Sequence, residues 1–238
     1  MTRPRQLTFD DHRRRTRTGR GGYRTGAGRP ARRPGIVHHV RRPGVPTGCP
    51  AHLTVRVRAG VGSLRSRAFV REFKASLAVA CERGAFRVVH YSLQRDHVHL
   101  IVEAAGKQAL GSGMKSIAAR LARAAQRVFG WSGPVLDGRY HLRLLKTPRE
   151  VRNALAYVLL NVRKHWRQRN GDAPPVRLDD ASSGRWFEGW RLLPRGPTDV
   201  GSREVAPART WLLTRGWRRH GLVDPAEVPG GAAPAPRA

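Results

Sequence analysis

The chain has 238 residues, 39% of them hydrophobic, which is enough for one domain with a hydrophobic core. Its net charge of +30 and its pI of about 11.9 make a polyanion the expected partner, since each neutralised phosphate releases counterions. Cys49 and Cys81 have the spacing of neither a disulfide framework nor a zinc site, and no apolar run approaches the roughly 18 residues of a membrane span. We therefore expect a reduced, cytoplasmic and nucleoid-associated protein with no membrane partner.

Residues 1–49 contain 13 arginines, two aspartates and many Gly and Pro, a composition typical of a disordered tail. Within them, GGYRTGAGRP at 21–30 carries Arg24 and Arg29, which could enter a DNA minor groove or act only through their charge. Only five of the 46 basic residues are lysines, a bias that a GC-rich genome could also produce. We interpret 1–49 as a disordered, Arg-rich, DNA-binding tail.

The first folded elements follow this tail. Apolar and polar residues alternate from His52, which predicts a strand. Ser63 is the predicted N-cap of a helix that Gly84 would end. Two more strands are predicted at 86–94 and 97–103.

The second half of the domain begins with a helix predicted at about 107–129 and a strand at 139–146. Thr147 then caps a helix that has Pro148 at its first position and Glu150 at its third. That helix is predicted to continue without a break to about residue 169.

This element order predicts an α+β fold: a ferredoxin-like βαββαβ sheet with an added C-terminal helix, flanked by a disordered basic N-terminal tail and an irregular C-terminal tail. The folded domain would span 50–169, and 170–238 would be a linker and a Trp-containing extension whose apolar segments pack back on the domain. The two crossover helices would cover one face of the sheet and leave the other face open for a site.

Two histidines share one face of the strand at 97–103. Successive strand side chains point to opposite faces, so His97, His99 and Glu103 lie together, while Val98 and Leu100 face the core. Two imidazoles about 7 Å apart can converge on one cation. A lone His-x-His strand is more often structural than metal-binding, so the motif by itself leaves both interpretations open.

The last predicted helix places a tyrosine off its buried stripe. On a helical wheel, Tyr157 has Asn161 and Asn153 about 40° to either side, away from the apolar residues. A core tyrosine would lie on the apolar stripe. The remaining structural interpretations are a surface tyrosine or one covered by the C-terminal extension.

These two motifs together resemble a known family. His97-Val98-His99, preceded by Asp96, resembles the HUH motif of single-tyrosine transposases. YVLLNVRKH at 157–165 resembles their catalytic helix, particularly in the REP-associated tyrosine transposases of the insertion-sequence-200-like superfamily, and GRYHLRLL at 138–145 resembles the preceding strand. The resemblance covers about residues 50–168 and departs from the family at Val162, which replaces a proline.

The resemblance implies an enzyme that cleaves and rejoins single-stranded or hairpin DNA, as a monomer or a homodimer. Tyr157 would attack the phosphorus and form a 5′-phosphotyrosine, from which a second 3′-OH could rejoin the strand. His97, His99 and Asn161 would bind Mg²⁺ or Mn²⁺, with Glu103 a weaker candidate ligand. The candidate supporting residues are Asp96, His90, Tyr140 and Asn153. The candidate DNA-binding residues are Arg56, Arg120, Arg123, Arg127, Arg24 and Arg29, although each could equally be a solubilising surface arginine.

Other functions remain open at this stage. The chain could be a catalytically inactive nucleic-acid-binding module descended from such a transposase. RNA-binding domains of this fold expose aromatic residues on the central strands, where this chain has His, Ile and Glu. A two-histidine phosphoesterase needs two His-x-Ser/Thr motifs, whereas this chain offers one His-x-His.

Overall fold

A five-stranded antiparallel sheet carries the histidine motif, and the computed structural model describes residues 44–172, 174–194 and 202–230. The strand order is β2-β3-β4-β1-β5. The strands are β1 Ala51–Arg56, β2 Glu82–Arg83, β3 Phe86–Leu93, β4 His97–Ala104 and β5 His141–Leu144. With crossovers after β1 and β4, this is the ferredoxin-like arrangement predicted, and only the short β2 was not anticipated. Arg24 and Arg29 lie outside the described residues.

The helices follow the predicted order. They are α1 Arg67–Ala78, α2 Lys107–Phe129, α3 Pro148–Leu159, α4 Asn161–Asn170 and α5 Trp211–Thr214. The predicted capping box is confirmed, because Thr147 Oγ1 accepts from the Glu150 N–H at 3.2 Å while Glu150 Oε2 accepts from the Thr147 N–H at 3.1 Å. Within the three described ranges, no helix has both the length and the apolar character needed to cross a membrane.

The predicted bounds of the first helix are wrong at both ends. Ser66, not Ser63, is the N-cap, and its Oγ accepts from the Phe69 N–H at 3.3 Å. The helix ends at Ala78, and Gly84 instead lies in the hairpin between β2 and β3, where its φ of +54° suits a tight turn.

The predicted continuous helix after Thr147 is broken at Leu160, whose φ of −109° and ψ of 14° are not helical. Leu160 is buried with Leu155, Val158 and Leu159 in one apolar cluster. The turn lets the chain bury Leu160 as well as the stripe of α3, and it gives Asn161 the first position of a new helix.

Two hydrophobic cores lie on opposite faces of the sheet. Val98, Leu100 and Val102 of β4 pack with α1 and α2 on one face, which we call the helix face. Ile101 packs on the other face, which we call the histidine face, with α3 and the C-terminal extension. The prediction that this second face is open is therefore wrong over most of its area.

The C-terminal extension packs on the domain as predicted. Trp217 is almost fully buried and contacts Phe187 with ring centroids 5.4 Å apart. Buried acidic residues tie the extension to the sheet: Glu204 accepts from the Tyr91 hydroxyl at 2.9 Å, and Glu103 accepts from the Thr210 N–H at 2.7 Å. The described residues of the extension, 174–194 and 202–230, thus belong to the folded unit.

Candidate active site

The two histidines of β4 lie close together at the start of the strand, just after the turn that joins β3 to β4. The His97 side chain is 15% exposed, and His99 is buried. Their Nε2 atoms lie 3.1 Å apart, with the two ring planes at 86° to each other. Two nitrogen lone pairs at this distance repel each other, so the arrangement calls for a proton or a cation between the rings.

Asp96 determines which nitrogen of His97 carries the proton. Its Oδ1 lies 2.7 Å from His97 Nδ1, and its Oδ2 lies 3.2 Å from Arg56. Burial raises the pKa of the Asp96 carboxyl, but the hydrogen bond and charge of His97 and the charge of Arg56 outweigh burial and hold that pKa below its ordinary value. An ionised carboxylate can only accept, so His97 Nδ1 is protonated and Nε2 keeps its lone pair.

His99 contacts strand β1 through its other nitrogen. Thr54 lies opposite His99 in the strand pairing, and its Oγ1 is 3.1 Å from His99 Nδ1. His52 Nε2 lies 3.1 Å from the same atom. Burial, reinforced by the charges of neighbouring histidines, lowers the pKa of His99 far below its ordinary value and that of His52 to about 4. Both rings are therefore neutral near pH 7.

Tyr157 lies beside this cluster in the same chain. Its ring centroid is 5.2 Å from that of His99 and 5.8 Å from that of His52, both in edge-to-face orientation. The Lys164 ammonium lies 5.0 Å from the centroid of the tyrosine ring. The tyrosine is half-buried and off the apolar stripe of α3, as its position in the sequence predicted.

Asn161 begins α4 and has an unusual environment. Its side chain is completely buried, yet neither Oδ1 nor Nδ2 has a hydrogen-bond partner. Lys164 and His165 lie three and four residues later, on the same side of the helix. The charges of both residues contribute to the low pKa of His99, and the Lys164 ammonium lies over the Tyr157 ring, which is beside His99.

The donor set fits a divalent cation. The two Nε2 atoms lie 3.1 Å apart, close enough for both imidazoles to hold one cation. The unsatisfied amide of Asn161 supplies a candidate oxygen. In the described part of the chain, no three His, Cys, Asp or Glu side chains form a metal-binding group, and the predicted set contains only two such residues.

A cleft of about 820 Å³ opens beside Tyr157. One wall carries His52, His99 and the exposed Asn153, and the opposite wall is the end of the extension at 227–230. Arg143 and Arg191 line the same cleft; they are 61% and 70% exposed, and their carboxylate partners are 3.5 and 3.6 Å away. The cleft thus offers cations next to the tyrosine.

Three candidate residues from the sequence are not brought to the histidine pair. His90 is buried against the extension, with Nδ1 3.1 Å from Ser183 Oγ, and burial lowers its pKa to about 3. Tyr140 packs against the helix-face core. Glu103 is fully engaged by Arg87 and by backbone N–H groups of the extension, which explains why it is not a ligand in this arrangement.

The predicted DNA-binding arginines divide between the two faces. Arg56 lies on the histidine side, bound to Asp96. Arg120 and Arg127 belong to α2 on the helix face, where Arg120 donates to the Ser76 carbonyl at 3.0 Å and Arg127 pairs with Glu72. Arg123 is exposed on the same helix. The α2 arginines therefore do not line the cleft beside Tyr157.

Sequence reasoning missed three residues that contact or face the histidine pair: His52, Lys164 and His165. His52 has the same alternating position in β1 as Thr54 and Arg56, so strand periodicity could have assigned it to the histidine face. Lys164 and His165 lie within the segment that carries Tyr157 and Asn161, at helical spacing from Asn161.

Comparisons with known proteins agree with the motif in β4. Residues 47–134 match the family model described as "Transposase IS200 like", a match that includes both histidines and stops before Tyr157. None of the curated proteins compared with the chain matches it.

Three solved structures are similar to part of the chain. A REP-associated tyrosine transposase bound to a REP hairpin is 15% identical, with 54% of this chain and 74% of that chain covered and a TM-score of 0.44. A Deinococcus radiodurans R1 protein described as a transposase is 17% identical, with 40% of this chain and 76% of that chain covered and a TM-score of 0.34. A bacterial tRNA(His) guanylyltransferase-like protein in complex with GTP is 12% identical, with 54% of this chain and 70% of that chain covered and a TM-score of 0.37. Over residues 47–134, the chain is thus similar to the IS200-like transposases.

Proposed function

We propose that the protein cleaves and rejoins single-stranded or hairpin DNA through a covalent 5′-phosphotyrosine on Tyr157, assisted by a divalent cation. The observation that carries the proposal is the 5.2 Å separation between the Tyr157 and His99 rings within one chain. The similarity of residues 47–134 to the IS200-like transposases supports a DNA strand-transfer activity. A hairpin substrate is suggested by the REP hairpin in one of the similar structures.

In the proposed reaction, Tyr157 is the nucleophile. Its phenolate oxygen forms a bond to phosphorus after losing its proton to solvent, and the bond from phosphorus to the 3′ oxygen breaks. The departing 3′ oxygen takes up a proton and becomes a free 3′-OH. The phosphodiester energy is kept in the tyrosine ester, so a second 3′-OH can reverse the same step and rejoin a strand.

His97, His99 and Asn161 are the residues that would hold Mg²⁺ or Mn²⁺. Asp96 keeps the Nε2 lone pair of His97 available, and the buried amide of Asn161 has no other partner. When bound, the cation would polarise the phosphoryl oxygen and stabilise the charge that develops on it. Lys164, above the tyrosine ring, is placed to add a second positive charge next to the phosphate.

The remaining parts of the chain have proposed roles in holding DNA. Residues 50–169 would form the catalytic domain, 1–49 would be an Arg-rich tail that binds DNA, and 170–238 would close one side of the cleft. Arg143 and Arg191 line that cleft and, together with Arg56, are the arginines best placed to contact a strand entering it. A single chain contains all the proposed catalytic residues, so a monomer or a homodimer could act.

The test uses a pool of hairpin DNAs whose single-stranded flanks are randomised, labelled at either the 3′ or the 5′ end. After incubation with Mn²⁺, a denaturing gel should show a protein–DNA adduct with the 3′ label only, because the tyrosine keeps the 5′ phosphate of the downstream fragment. Chelator should remove the band, and Tyr157→Phe should abolish it. Sequencing the bound DNA would identify the cleavage site.

Tyr140→Phe is the matched control, since Tyr140 packs against the other core and should leave the adduct intact. An adduct that survives Tyr157→Phe would refute the nucleophile assignment. If no DNA in the pool gives an adduct while hairpins still bind, the protein is an inactive nucleic-acid-binding module descended from a transposase.

A further inference from the structure

The contact between His52 and His99 has no role in the mechanism above. We propose that His52 is a positioning residue: it accepts a hydrogen bond from His99 Nδ1–H and so directs the His99 Nε2 lone pair towards the cation. This inference rests on the proposed metal-assisted function of the site. It gives a residue of β1 the role of orienting His99, in addition to the roles proposed for the histidine motif and the tyrosine helix.

The two histidines of the pair differ in what decides which ring nitrogen carries the proton. The Asp96 carboxylate accepts from His97 Nδ1–H, so a neutral His97 ring has its lone pair at Nε2. His99 can adopt either tautomer. With the proton on Nε2, it would donate to His97 Nε2 at 3.1 Å; with the proton on Nδ1, both Nε2 lone pairs would face each other. Only the second tautomer can bind a cation.

His52 is the stronger acceptor available to the tautomer that binds a cation. In that tautomer His99 Nδ1–H must donate, and both His52 Nε2 and Thr54 Oγ1 lie 3.1 Å from Nδ1. An imidazole nitrogen is a better acceptor than a hydroxyl oxygen. When the proton of His52 is on its own Nδ1, its Nε2 therefore stabilises His99 with Nδ1 protonated.

The geometry argues against His52 as a third metal ligand. Its Nε2 is directed at Nδ1 of His99, on the side of the ring opposite the Nε2 that faces His97. The His52 ring also contacts the edge of Tyr157, with centroids 5.8 Å apart. One side chain thus touches both the proposed metal ligand and the proposed nucleophile.

The test measures Mn²⁺ binding to the full chain without DNA. Titration calorimetry and the paramagnetic resonance signal of Mn²⁺ each give the affinity. His52→Ala should weaken Mn²⁺ binding by about 10- to 100-fold, the usual effect of losing the hydrogen-bond partner of a metal-binding histidine. His52→Gln should retain most of the affinity, because its side-chain oxygen can accept from His99 Nδ1–H. His141→Ala is the matched control, an exposed histidine that lines the same cleft.

A second measurement separates positioning from folding. Nitrogen-15 chemical shifts of the His99 ring should show Nδ1 protonated in the wild type and a shift towards Nε2 protonation in His52→Ala. The inference is wrong if His52→Ala binds Mn²⁺ within about twofold of the wild type, or if His52→Gln loses as much affinity as His52→Ala. It is also wrong if the wild type binds no Mn²⁺.

The outcomes also distinguish this inference from the proposed function. If Mn²⁺ affinity depends on His52 but no DNA forms an adduct, the inference holds and the strand-transfer proposal fails. If the wild type forms the Tyr157 adduct while His52→Ala binds Mn²⁺ normally, the strand-transfer proposal holds and the inference fails.

Discussion

The two faces of the sheet differ in what they bury. On the helix face, Leu53, Val55 and Leu100 pack with apolar residues of α1 and α2. The cluster there is mainly hydrophobic, and the hydroxyl of its Tyr91 donates to the buried Glu204. On the histidine face, the buried side chains include His90, His99, Glu103 and Asn161. The extension binds His90 and Glu103, and His52, Thr54 and His97 contact His99, whereas the amide of Asn161 is unsatisfied.

This difference shows how one strand can serve both the fold and the site. In β4, Val98 and Leu100 supply the hydrophobic contacts that stabilise the sheet, and the residues between and beside them, His97 and His99, are the proposed metal ligands. Because the two sets alternate, either can be changed with limited effect on the other. The predictions below test that separation.

The largest expected effect comes from the histidine face. Replacing both His97 and His99 by Ala should lower adduct formation by on the order of 10³-fold or more, since metal stabilisation of phosphoryl transfer contributes several kcal/mol. DNA affinity should stay close to that of the wild type, because the net charge of +30 is unchanged. Adduct yield and hairpin binding are measured on the same samples; a parallel loss of binding and folding would mean that the histidines are structural.

The converse substitution is on the helix face of the same strand. Leu100→Ala should reduce the free energy of unfolding by about 2–5 kcal/mol, because Leu100 is fully buried and its truncation leaves a cavity. Residual folded protein should still form the adduct. Denaturant unfolding gives the stability, and a loss of catalysis in fully folded Leu100→Ala protein would contradict the separation of the two faces.

A smaller effect is expected where α4 meets the extension. The buried Arg163 guanidinium donates to the carbonyls of Pro174, Pro175, Ala226 and Glu227. Arg163→Ala should cost about 1–3 kcal/mol of stability, since it leaves these carbonyls without their donor. Protease cleavage near 226–230 should also become faster.

Arg167→Ala is the control for this substitution, because Arg167 is exposed on the same helix and should change stability by less than about 0.5 kcal/mol. Equal effects of the two substitutions would show that the four carbonyl contacts do not hold the extension.

The last effect concerns pH and is the smallest of the four near neutrality. Burial lowers the pKa of His90 to about 3. Below about pH 6.5, His90 is therefore protonated in the unfolded chain but stays neutral in the folded protein. Acid therefore favours unfolding, and His90 should contribute a slope of up to about 1.4 kcal/mol per pH unit between pH 6.5 and 3. His90→Asn, which can keep a contact with Ser183, should flatten the measured slope. The same change at exposed His141 should leave the slope as it is.

Local patterns in the sequence predicted the parts of the structure that depend on neighbouring residues. Strand alternation assigned His97 and His99 to one face, and the Thr147–Glu150 capping box identified the start of α3. The wheel position of Tyr157 correctly placed it beside the apolar stripe. Each of these features is determined within about one turn or one strand.

Features that depend on distant pairing were not predicted. The contact of His52 with His99 requires the β1–β4 register, which joins residues 47 apart in sequence. The break at Leu160 has no Gly or Pro signal, because it arises from burial of that side chain against the extension. The burial of Arg163 depends likewise on carbonyls from two later segments, and an arginine in a helix is normally exposed.

The most direct test of the central claim is to locate the covalent bond. The adduct formed with Mn²⁺ would be digested with nuclease and trypsin, and the nucleotide-bearing peptide sequenced by mass spectrometry. Cleavage after Arg152 and Arg163 releases NALAYVLLNVR, residues 153–163, whose one tyrosine is Tyr157. A 5′-linked nucleotide on this tyrosine is the predicted result, and a nucleotide on any other residue, such as Tyr140, would contradict the account.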